Sequence, residues 1–157
     1  MRLPKRDHRE ISLLLKQAQQ RKQIAVDTAL SKLQSSMAQW VVLRRIRSAP
    51  GASAHDLAQA AFQTDQSFGS VTRRLIARGL VIREQGKGRS TAHHLSDAGR
   101  KLLEKCDPIV VATLRLEFAV LSEDELQNFG AFLAKIVGEN QGVRTSHAAP
   151  AADRERC

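Results

Sequence analysis

Apolar side chains recur along this chain with a helical period nearly everywhere, and give way to short alternating runs in one place. From residue 10 to about 33, Ile11, Leu14, Leu15, Ala18, Ala25, Ala29 and Leu33 trace one stripe. Lys16, Gln19, Gln20, Gln23 and Asp27 take the opposite face, as an amphipathic helix requires. Asp7 with Glu10, and Ser36 with Gln39, have the spacing of a capping box, in which each side chain satisfies the other residue's backbone N–H. The second box opens a helix over 37–47 with Trp40, Val41, Leu43 and Ile46 as its apolar positions, and Ala49-Pro50-Gly51 then breaks the chain.

The stretch 53–95 organises the rest. Ser53 caps a short helix whose Leu57, Ala58 and Ala61 share a face, with Asp56 three residues after the cap. A second helix starts near Thr64 or Asp65 and ends at Gly79, a natural left-handed stop. Phe68, Val71, Thr72 and Leu75 form its inward stripe, which leaves Gln66, Ser67, Gly69, Ser70, Arg73 and Arg74 outside. Amides, hydroxyls and guanidinium groups on an exposed helical face suit the base edges and phosphates of a DNA major groove. Two strand-like runs, 80–84 and 92–95, flank the basic loop Gly86-Lys87-Gly88-Arg89-Ser90. Helix, turn, helix and a two-stranded hairpin make a winged helix-turn-helix, with that loop as the wing. The candidate DNA contacts are Ser53, Thr64, Gln66, Ser67, Ser70, Arg73 and Arg74 from the helices and Lys87, Arg89 and Ser90 from the wing.

Ser96 caps a further helix, and Asp107-Pro108 implies that it either kinks or restarts there, because an interior proline loses a hydrogen bond. Ser122 with Glu125 is another capping box, leading a stripe of Leu126, Phe129, Phe132, Leu133, Ile136 and Val137. The stripes at the two ends carry more apolar surface than one small winged domain buries. A two-fold dimer would cover them, through Ile11, Leu14, Leu15 and Ala18 at one end and Leu126, Phe129, Phe132, Leu133 and Ile136 at the other. The expected architecture is mainly α. It has a basic tail (1–8), an N-terminal dimerisation helix (9–35), the winged helix-turn-helix (36–95), C-terminal dimerisation helices (96–138) and a disordered tail (139–157).

Ala38-Gln39-Trp40-Val41-Val42-Leu43, Pro50-Gly51-Ala52-Ser53, Arg78-Gly79-Leu80-Val81 and Leu95-Ser96-Asp97-Ala98-Gly99 follow one another in the order and spacing of the multiple antibiotic resistance regulator (MarR) family, which the chain resembles over roughly 9–137. Family wings commonly carry an Asp-Arg-Arg run. Here Arg89 keeps the arginine position without the aspartate. The resemblance implies a homodimeric regulator on pseudo-palindromic double-stranded DNA, most often a repressor, with a cleft near Trp40 for a small aromatic or other organic effector; from the residues alone Trp40 reads first as a plain core tryptophan. The competing reading is a winged-helix protein-interaction module without promoter specificity.

Composition agrees with a polyanionic partner. The net charge is +9, and between Trp40 and Lys105 twelve Lys or Arg face five Asp or Glu. The apolar runs are far shorter than the roughly 20 residues of a membrane span, and 1–10 has no secretory-signal pattern, so a cytoplasmic protein is expected. Catalysis, metals and cofactors are not expected. The wing places lysine before glycine, which is not a phosphate-cradling loop. His93 and His94 alternate across a strand, while His8, His55 and His147 lack ligand spacing. Cys106 and Cys157 form no disulfide framework, and Cys106 reads as a passive buried thiol.

Overall fold

The computed structural model describes residues 5–85 and 91–138. Among them the order is α1 (His8–Leu30), one 3-10 turn (Ser31–Leu33), α2 (Met37–Ser48), α3 (Ala54–Ala60), α4 (Asp65–Ala77), β1 (Val81–Gln85), β2 (Thr91–Leu95), α5 (Asp97–Phe118) and α6 (Glu123–Val137). The wing residues Lys87, Arg89 and Ser90, the start of the basic tail, and the tail from 139 with Cys157 lie outside the described residues. Two compact units divide the chain, one ending at Glu117 and the other starting at Phe118.

In the first unit the local signals act largely as their chemistry requires. Asp7 and Glu10 complete their capping box; Ser53 accepts the Asp56 N–H and Thr64 the Ser67 N–H, both at 3.1 Å. Gly79, at φ +69°, ends α4 in the left-handed conformation that costs glycine least. β1 and β2 pair antiparallel, Val81 opposite Leu95 and Gln85 opposite Thr91. Alternation puts Val81, His93 and Leu95 on the core side. Leu43, Ile46, Leu57, Phe68 and Leu75 are fully buried together, and α5 closes over them with Leu103, Cys106 and Val110. Gly99 allows that closure: a Cβ there would fall on the Leu80 carbonyl oxygen.

Three expectations need correction, each because a partner distant in the sequence decides the contact. Val26 and Leu30 are the buried residues of α1, whereas Ala25 and Ala29 are only half-buried, because the larger side chains fill the space against α2. Asp27 is not a solvated residue of the polar face, since it accepts the Met37 N–H at 2.7 Å. The Ser36–Gln39 box is half made: Ser36 accepts the Gln39 N–H, but the Gln39 amide oxygen accepts from Arg78 at 2.9 Å. The same guanidinium donates to the Gln34 carbonyl at 2.8 Å, fastening the end of α4 to the α1–α2 joint. Of the two readings open at Asp107-Pro108, the restart is not the one taken: α5 runs on through Pro108. Pro108 and Glu104 both lie on the exposed side, so the carbonyl that loses its donor is on the water side of the helix.

In the second unit, α6 has a complete capping box between Ser122 and Glu125 and stops at Gly138, φ +80°. None of its residues is fully buried.

Candidate nucleic-acid interface

The outer face of α4 follows from the same period that fills its inner face. Phe68, Thr72 and Leu75 are buried, and Thr72 also returns its hydroxyl to the Phe68 carbonyl at 2.8 Å. On the opposite side Gln66, Ser67, Arg73 and Arg74 are exposed and Ser70 is half-exposed. Arg74 reaches back to the Ser70 hydroxyl at 3.4 Å. Thr64 is exposed, with its hydroxyl engaged in the cap, and Ser53 both caps α3 and donates to the Asp56 carboxylate at 2.7 Å. The structure thus brings all seven helix-borne candidates onto α4 and the front of α3.

Beside that face opens a cleft of about 360 Å³, with Ser53 and Ala54 at the start of α3, Gly69 and Arg73 on α4, and Arg83 and Thr91 on the strands. Arg83 was not among the sequence candidates. Strand alternation puts it opposite His93, and it donates to the Thr91 hydroxyl at 3.4 Å. His93 also lines the cleft, 4% exposed, with Nδ1 3.4 Å from the Ala52 carbonyl. Burial lowers its pKa, and the neighbouring Arg83 and His94 push the same way. The turn before α3 is tied to this strand by the Gly51 N–H donating to the His93 carbonyl at 2.9 Å. Another pair missed in the sequence lies across the turn between α3 and α4, where His55 Nδ1 stands 2.9 Å from Asp65 Oδ2. Both arise from contacts between elements, which periodicity does not report.

Trp40 is 8% exposed and tied into the core: its indole N–H donates to Asp107 Oδ1 at 2.7 Å, and Arg47 holds the other carboxylate oxygen at 2.9 Å. The Arg44 guanidinium sits 4.9 Å from the ring centroid, a cation–π distance. A pocket of about 170 Å³ runs beside the ring, between Val41, Arg44, Arg45 and Ser48. Of the dimerisation candidates, Ile11, Leu14, Leu15 and Ala18 are exposed on α1. On α6, Phe132 and Ile136 are exposed while Leu126, Phe129 and Leu133 are half-buried. Exposed Leu13 and Ile24 extend the apolar surface of α1 beyond the stripe read from the sequence.

Cys106 is fully buried, and burial raises the pKa of its thiol, which keeps it protonated at neutral pH. Among the described residues no group of three or more His, Cys, Asp or Glu could hold a metal, and no helix is long and apolar enough to cross a membrane.

A helix-turn-helix with a polar, cationic outer helix and an antiparallel hairpin after it defines a winged-helix protein. The MarR family model matches residues 34–90, which run from just before α2 through β1 and stop short of β2. An HTH-type transcriptional repressor of Mycobacterium tuberculosis, Rv2887, is 32% identical over 113 residues, covering 71% of this chain and 81% of the relative. Its crystal structure in complex with DNA aligns at 27% identity with a TM-score of 0.62, over 80% of this chain and 95% of that one. Bordetella bronchiseptica BpsR, solved in a study of the regulation of its DNA binding by 6-hydroxynicotinic acid, aligns at 25% identity and TM-score 0.76, over 82% and 98% of the two chains. The chain belongs to the MarR family of transcriptional regulators.

Proposed function

We propose that this protein is a cytoplasmic, sequence-specific transcriptional repressor that binds a pseudo-palindromic operator as a homodimer and is released by a small aromatic acid. The observation that carries the reading is the outer face of α4: Gln66, Ser67, Ser70 and Arg73 lie on the side turned away from the core, next to a cleft flanked by Arg73 and Arg83. Gln66 and Arg73 act as base readers, because amide and guanidinium groups make bidentate contacts worth roughly 1–3 kcal/mol of discrimination each. Arg83 and the wing cations Lys87 and Arg89 take backbone phosphates, which orient the duplex without reading it. Ser53, Thr64, Ser67, Arg74 and Ser90 complete the contact surface.

The dimer is the means of reaching operator affinity, since two recognition helices about 34 Å apart read successive major grooves on one face of DNA. The exposed apolar residues of α1 and of α6 supply its surface, so 9–35 and 96–138 form the dimerisation lobe and 36–95 the reader. The effector binds beside Trp40, where Arg44 and Arg45 would meet a carboxylate. The repressor name of the mycobacterial relative and the acid studied with BpsR support repression and this class of effector.

Selection of bound duplexes from a random pool, followed by titration from low to high salt, tests the reading. The expected result is one palindromic site whose log affinity falls with log salt at about −0.9 per neutralised phosphate. Binding without sequence preference would replace it with the interaction-module alternative. Quenching of the single tryptophan by salicylate, in step with loss of operator binding, tests the effector site.

A further inference from the structure

The His55–Asp65 pair is used neither by the core nor by the base-reading residues. His55 stands in the first turn of α3 and Asp65 opens α4. The turn between the helices brings the imidazole within 2.9 Å of one carboxylate oxygen and 3.2 Å of the other. Both side chains are more than half exposed, so the pair contributes little to holding the helices together. The Gln59 amide lies 3.5 Å from Nε2, and Asp56 of the same helix is the other charged group that bears on the ring.

Position gives the pair its meaning. Asp65 is the sole acidic residue of α4, at the end of the helix that leads into the groove. His55 follows Ala54, and Gly69 lies one helical turn beyond Asp65; Ala54 and Gly69 both line the cleft between Arg73 and Arg83. A duplex drawn to those arginines therefore brings phosphate close to a carboxylate, and that repulsion must be cancelled.

We propose that protonated His55 cancels the Asp65 charge and itself meets a DNA backbone phosphate, so that operator binding takes up a proton. The inference rests on the DNA-reading role proposed above. Its sign follows from linkage. In the free protein the Asp65 hydrogen bond and charge already raise the His55 pKa above 6.5. A phosphate raises it further, so the complex holds more proton than the free protein. Affinity is then level below the free-protein pKa and falls above it, by at most about tenfold per pH unit for one proton. His93 titrates below 6.5, since burial lowers its pKa, and leaves the window above 6.5 to His55.

The experiment is fluorescence anisotropy of the full chain on its selected duplex from pH 6 to 9 at constant ionic strength. It compares wild type with His55→Asn, Asp65→Asn and the double variant, each checked for native circular dichroism. Wild type is expected to lose about tenfold in affinity per pH unit through the window. His55→Asn should bind weakly at every pH with no slope. Asp65→Asn should keep its affinity at pH 9, and the double variant should match it, because without the carboxylate there is no repulsion to cancel. Calorimetry in buffers of different ionisation enthalpy should show proton uptake for wild type and none for the two variants that lack His55. Sequence-specific binding with no pH dependence, or an unchanged slope in His55→Asn, would overturn this inference and leave the DNA-reading role standing. Absence of sequence-specific binding at every pH would overturn that role itself.

Discussion

Thr64 caps α4 and Ser122 caps α6 in the same way, each accepting the backbone N–H three residues on, at 3.1 and 3.3 Å. Both helices are amphipathic and both are followed by a glycine at positive φ, Gly79 and Gly138. Yet α4 buries Phe68, Thr72 and Leu75 in the core of its unit, while α6 buries no residue fully and leaves Phe132, Ile136 and Val137 exposed. An apolar stripe states only that a helix requires a partner. For α4 the partner is α2, α3 and the first strand of the same unit; for α6, we propose, it is a second copy of the chain.

The contrast is open to direct attack, beginning where the effect is largest. Phe68→Ala should lower the unfolding free energy by about 3–5 kcal/mol, the cost of a cavity in a packed core. Phe132→Ala should leave the urea midpoint of the first unit unchanged, and equal losses in the two variants would erase the distinction between the helices. Glutamates at Phe132 and Ile136 should leave the circular dichroism of the fold intact and convert a sedimenting dimer to monomer. With them should go the second half-site contact, weakening operator affinity about 100-fold or more. A monomeric wild type that still bound its whole site would show that α6 has no such partner.

Asp107→Ala tests whether Trp40 belongs to the core or to solvent. Removing the acceptor strands the indole N–H and the Arg47 guanidinium, and should cost about 1–3 kcal/mol with a red-shifted tryptophan emission. Both helices have an N-cap hydroxyl that accepts the N–H three residues on, so Thr64→Ala and Ser122→Ala should each cost about 1 kcal/mol of local helix stability, read by hydrogen exchange in the two helices. The smallest effect expected is the pH response of the strand base. The folded-state pKa of His93 is depressed, so its contribution to stability is whole above pH 6.5 and is lost as pH falls through the folded value. Denaturant midpoints should therefore drop on acidification below neutrality, and less so in His93→Gln.

Much of this molecule was legible in its residues because helices and turns are local. A cap acts over three residues and a stripe repeats every 3.6, so the starts of α3, α4 and α6, the stop at Gly79, and the inward and outward faces of α4 follow from the chain alone. The hairpin follows in the same way, to within a residue at its ends. Locality also marks where that reading stopped. Ser36 and Gln39 have the spacing of a capping box, but Arg78, thirty-nine residues on, takes the glutamine. Asp27 looked like a solvated acid until α2 folded its first N–H onto it. Asp107-Pro108 allows either a kink or a fresh helix start, and only the fold makes Asp107 the acceptor for Trp40 and Arg47.

Tertiary structure alone decided which of several chemically adequate partners each side chain would meet. Val26 and Leu30 are fully buried where Ala25 and Ala29 are only half-buried, a choice made by the packing of α1 against α2. Phe62, 82% exposed at φ +52°, takes the left-handed position between α3 and α4, which no propensity assigns to phenylalanine. Arg83 was invisible as a candidate because a strand residue's neighbours across a cleft depend on how the hairpin docks on α4. His55 and Asp65 are ten residues apart on two different helices, and only the angle of the turn makes them a pair. The sequence sets which groups exist and which local elements they build; the docking of those elements sets the distances, and charge, burial and proton affinity all depend on distance.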